Sequence, residues 1–96
     1  MKTNHDYRLP RMKDTLRPEG IPARFSAFKE LKCEAGHIVT ADLRIDGLRH
    51  VMMMVYDVIS DHVQINGGYR IRDDHAYLID PIIAAFRDYV QSCRIA

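Results

Sequence analysis

The sequence predicts an α+β domain: a small antiparallel sheet of three to five strands with a C-terminal helix packed on it and, in one of two readings, an N-terminal helix as well. Three observations carry this expectation. The run Val51-Met52-Met53-Met54-Val55-Tyr56-Asp57-Val58-Ile59 is the most apolar in the chain, so the rest of the fold must cover it. Val39, Ala41, Leu43 and Ile45 alternate with Thr40, Asp42 and Arg44, the period of a half-buried strand. Ile82, Phe86, Tyr89/Val90 and Cys93 recur at the spacing of one helix face.

A chain of 96 residues supports one small domain. Residues 1–22 read as a flexible basic N-terminal arm and 23–96 as the α+β domain. Pro10, Pro18 and Pro22 interrupt any helix in the arm, and its apolar residues keep no period. Charge is divided in the same way. Residues 1–24 carry six basic side chains against Asp6, Asp14 and Glu19, whereas the remainder carries eight basic and ten acidic groups.

Pro22 to Gly36 carries helix signals: a proline suited to a first turn, an interior rich in Ala, Lys, Glu and Leu, and a glycine past the end. Phe28, Leu31 and Ala35 would share its buried face. The competing reading is a strand with Phe25, Ala27, Leu31 and Cys33 on one side and Lys29 as the exception. Asp46-Gly47 can form a two-residue hairpin turn after Ile45. That turn pairs Leu43 with His50, Ala41 with Met52 and Val39 with Met54. The segment 48–64 also fits helical spacing. Its valines and isoleucines, stiff in helices, and the turn ahead of it favour strand, with Met52 and Met54 inward and Met53 on the other face.

A second hairpin is expected at Asn66-Gly67-Gly68, joining His62–Ile65 to Tyr69–Arg72 with Val63, Ile65, Tyr69 and Ile71 inward. His75 to Ile79 can add a short strand. The final helix opens with Asp80 as a cap and Pro81 at its first position, and turns Arg87, Asp88 and Gln91 away from the core.

A helix–three-strand–helix order resembles that of double-stranded-RNA-binding domains. Where those domains carry a basic cluster at the start of their last helix, this chain reads Pro81-Ile82-Ile83-Ala84. No family is assigned on that basis.

Chemistry is sparse. Cys33-x-x-x-His37 is half of a zinc motif that Cys93, His50, His62 or His75 would have to complete, and half-motifs are weak evidence. Asp61-His62 and Asp73-Asp74-His75 place carboxylates beside imidazoles, but neighbours along a strand point to opposite faces. Ser26, Ser60 and Ser92 lack the glycines of a nucleophile elbow. The expectation is therefore a non-enzyme without metal or cofactor. Arg44, Arg49, Arg70 and Arg72 would all point to the face opposite the core, with Arg44 directly across from Arg49. They are the candidate partner-binding residues. A protein-interaction domain acting through its sheet face, an edge strand or self-association is the first expectation. A weak nucleic-acid-binding module using the arm and these arginines is the second. Two cysteines, no apolar run near the roughly 20 residues that span a bilayer and no apolar leader point to a cytoplasmic protein.

Overall fold

A computed structural model of the chain describes residues 13–71 and 73–94. Five strands follow one another as an antiparallel meander: β1 (Thr15–Leu16), β2 (Ala23–Cys33), β3 (Gly36–Ile45), β4 (Val51–Asp57) and β5 (His62–Asn66). Two 3₁₀ segments, Gly68–Arg70 and Asp73–Leu78, then lead into one helix, α1 (Ile79–Arg94). The expected α+β architecture is what forms.

Strand β3 behaves as its alternation requires: Val39, Ala41, Leu43 and Ile45 are buried between partners on both sides. Strand β4 likewise sends Met52, Met54 and Tyr56 inward and Met53 outward. Ile82, Phe86 and Val90 of α1 close over this inner face. The Phe86 ring meets Phe25 edge-on at 5.2 Å and stacks on Phe28 at 6.2 Å, geometries that add to plain area burial.

The helix expected over 22–36 does not form; this segment is β2, the longest strand. The physical reason is a bulge. Register slips between Ser26 and Lys29, and Ala27 takes φ 54°. Ala27 and Phe28 then oppose Ala41 alone, so the inward set changes parity from Ala23 and Phe25 to Phe28 and Glu30. Phe25 and Phe28 end on one face three residues apart, a spacing that imitates a helix. Leu31 and Ala35 are exposed rather than packed. With the first helix gone, so is the topological likeness to double-stranded-RNA-binding domains.

The hairpin at Asp46-Gly47 forms, but its loop is five residues rather than two. Leu43 pairs with Met52, Ala41 with Met54 and Val39 with Tyr56. Gly47 has φ 89°, whereas Asp46 is not among the positive-φ residues. A two-residue type I′ turn needs both positive. The chain instead makes a single turn, Leu48 N–H to Ile45 C=O at 3.0 Å, and Leu48 leaves the ladder to pack against the core. A register shift of two preserves every side chain's face.

The second hairpin differs from expectation. Strand β5 pairs back with β4 through Val58–Asp61, with Asp57 opposite His62. The Asp57 carboxylate accepts the amides of Ile59 and Ser60 at 3.1 and 3.3 Å, and Asp61 takes φ 57°. Asn66-Gly67-Gly68 is not a hairpin turn; Gly67, at φ 85°, leads out of the sheet into the 3₁₀ turn. Val63 and Ile71 are buried and Ile65 half-buried, but Tyr69 points to solvent. The segment expected as a strand over 75–79 is the 3₁₀ helix entering α1. Since α1 begins at Ile79, Asp80 lies in its first turn rather than at its cap. Gln91, expected outside, is half-buried and donates to the Tyr56 hydroxyl at 2.5 Å.

Of the segment read as the arm, residues 1–12 lie outside the described residues. Residues 13–22 supply β1 against β2, the Arg17–Asp46 ion pair at 3.0 Å and a Lys13 amide bond to the Tyr89 hydroxyl at 2.8 Å. Among the described residues no helix is long and apolar enough to cross a membrane.

Candidate functional site

Alternation gives each strand two faces, and α1 covers one of them. Among the described residues nothing packs on the other. The strand register arranges this outer face in rows: Arg24–Arg44–Val51, Ser26–Asp42–Met53–Asn66, Lys29–Thr40–Val55–Gln64 and Leu31–Ile38–Asp57–His62. Leu31, Val51 and Met53 are 47%, 48% and 41% exposed. Every Phe and Tyr within the strands (Phe25, Phe28 and Tyr56) is turned inward.

The four candidate arginines are distributed unevenly. Arg44 stands exposed on the outer face as expected, but the residue directly across from it is Arg24, not Arg49. Arg49 lies in the β3–β4 loop, and Arg70 in the 3₁₀ turn after β5; both are exposed. Arg72 lies outside the described residues. Arg24 was missed because its segment reads as a helix; only the strand alternative, with Phe25 inward, puts it on the open face.

Arg70 is held in place. Its guanidinium lies over the Tyr69 ring, 5.2 Å from the centroid, and Nη1 donates to Nδ1 of His50 at 2.6 Å. A guanidinium has no acceptor, so the shared proton is the arginine's and the imidazole N–H of a neutral His50 sits on Nε2. Arg70, His50 and Tyr69 line a cleft of about 480 Å³ together with Asp42, Val51 and Met53 of the open face.

The remaining candidates separate. Cys33 is exposed at the end of β2, whereas His37 points to the inner face and is buried. The two halves of the zinc motif thus lie on opposite sides of the sheet, and His37 Nε2 is engaged by the Glu30 carboxylate. Among the described residues no three His, Cys, Asp or Glu side chains are grouped to hold a metal ion. Asp61 does not orient His62; its carboxylate accepts the Tyr56 hydroxyl at 2.7 Å. The carboxylate–imidazole pair that forms among the described residues, Glu30–His37, belongs to the packed interior. Glu30 carried no sequence signal, because the bulge that turns it inward is itself unsignalled.

Comparison with protein-family models, with curated proteins and with solved structures gives no match to this chain.

Proposed function

We propose that this protein is a small non-catalytic interaction domain that docks a protein partner on the open face of its sheet. The observation that carries this reading is the exposed apolar pair Val51 and Met53, neighbours on the outer side of β4, with Leu31 exposed at the far end of the same face, whose strands present no Phe or Tyr. A few residues in well-packed, desolvated pockets, arginine often among them, supply most of the energy in protein interfaces, and methionine adapts to a partner's shape. Single-stranded nucleic acid is bound instead on stacking aromatics within a positively charged groove. Here the strand aromatics are committed to the core and Asp42 sits amid the face, which puts nucleic-acid binding second. Arg24, Arg44, Arg49 and Arg70 are the observation in its favour. The exposed free thiol of Cys33 fits the reducing, cytoplasmic setting read from the sequence.

The test is selection of binding peptides from a random library against the full chain, followed by mapping on isotope-labelled protein. Selected binders should perturb the Val51 and Met53 side chains and the β3 and β4 amides. Binders that perturb only α1 or the β4–β5 turn would remove the open face from the account.

A further inference from the structure

We infer that the partner's docking segment is acidic and aliphatic, lying along the Arg24–Arg44–Val51 end of the open face with one carboxylate held by Arg70 at the cleft. The inference rests on the open face being a protein-docking surface and adds the chemistry of what docks there.

The first observation is an unresolved conflict within the sheet. Arg24 and Arg44 are directly opposite one another on adjacent strands, both exposed. Like charges so placed weaken a strand pair. Among the described residues neither arginine has an acidic side chain within ion-pairing distance. Asp46, at the same end of the sheet, is taken by Arg17 through both carboxylate oxygens, at 3.0 and 3.4 Å. Asp42, one row away, pairs with neither. Local rules broken without compensation inside a fold are where function is expected, and an external carboxylate between the two guanidinium groups would supply what is missing.

The second observation is independent. Arg70 is oriented before any partner arrives, stacked on Tyr69 and bonded to His50. One of its five N–H donors is used by His50, and a planar fork with free donors suits a carboxylate. Val51, directly across from Arg44 in the strand register, lines the Arg70 cleft together with Met53. A segment that fits must therefore bring acidic groups to Arg44 and to Arg70 and an apolar side chain to Val51 and Met53. A second copy of this chain docked by the same patch would bring arginines against arginines.

The experiment uses the full chain and three probes: a twelve-residue peptide alternating Glu with Leu, its Lys/Leu counterpart, and a twelve-nucleotide single-stranded RNA. Binding is read by fluorescence polarisation at low salt and by amide shifts. The Glu/Leu peptide should bind, shift Arg44, Val51, Met53 and Arg70, and lose roughly tenfold or more in affinity with Arg44→Glu and with Arg70→Glu. Thermal melting checks the fold of both variants, and Arg44→Glu should melt no lower than wild type because it converts the like-charge pair to an opposite one. If the Lys/Leu peptide alone binds this face, the acidic-partner inference fails and the docking reading survives. If RNA alone binds it, or no probe perturbs it, both fail. A dimer in sedimentation velocity that Val51→Asp abolishes would make a second copy the occupant and also overturn the inference.

Discussion

The two faces of this sheet are made from the same residues in alternation, yet they are finished in different ways. On the inner face Phe25, Phe28, Leu43, Met54 and Tyr56 are fully buried beneath Ile82, Phe86 and Val90. Its polar groups are paired there too, Glu30 with His37, and Tyr56 with Asp61 and Gln91. On the outer face Val51 and Met53 stay in solvent and two arginines confront each other. A sheet closed on one side by one helix can hold its fold through the inner face alone. The outer face is then free to carry features that folding does not reward.

That division predicts a steep asymmetry in mutational cost. Phe86→Ala should cost about 3–5 kcal/mol, the usual loss for a buried phenylalanine, out of a total of about 5–15 kcal/mol for a domain. Met53→Ala, on the other face, should stay within about 0.5 kcal/mol of wild type. Chemical denaturation measures both. Equal midpoints for the two variants would mean that α1 is not docked through Phe86.

A smaller loss is expected at Tyr56→Phe. The hydroxyl accepts from Gln91 of α1 and donates to Asp61 in the β4–β5 turn, so its removal leaves two polar groups short of a partner. The expected cost is about 1–2 kcal/mol. Gln91→Ala combined with Tyr56→Phe should cost less than the sum of the single changes, because the two share one bond. Strict additivity would show that the bridge between helix and turn is not formed.

The same contrast explains what was legible in the sequence. The inward residues of β3 keep strict alternation over its whole length, so the strand and its faces could be read directly. Strand β2 could not, because an extra residue at Ala27 switches its inward positions from odd to even. Nothing in Ser26-Ala27 announces a left-handed residue where glycine or asparagine would be expected. The register of the β3–β4 hairpin slipped by two because Asp-Gly permits a tight turn without requiring one. Asn66-Gly67-Gly68 supplied positive φ as its composition promises, but used it to leave the sheet. The candidate site suffered accordingly: Arg44 was placed correctly, Arg49 and Arg70 lie in connections beside the face, and Arg24 was hidden by the bulge.

The bulge itself gives a prediction of opposite sign. A left-handed conformation costs a side chain with a Cβ about 1–2 kcal/mol, and glycine's greater chain entropy returns part of that. Ala27→Gly should therefore stabilise the domain by about 0.5 kcal/mol, seen as a higher denaturation midpoint. A lower midpoint would mean that Ala27 is not held left-handed. Smaller still, or comparable, is Arg44→Glu on the outer face, expected to gain about 0.2–1 kcal/mol by facing Arg24 with an opposite charge.

The central claim is that the inner face carries the fold while the outer face is reserved for a partner. Its most direct measurement is the double variant Val51→Asp/Met53→Asp, assayed in parallel for denaturation midpoint and for binding of peptides selected against the wild type. The account predicts a midpoint close to wild type together with loss of binding. Unfolding of the variant would show that the outer face is part of the core, and binding at wild-type strength would show that partners dock elsewhere.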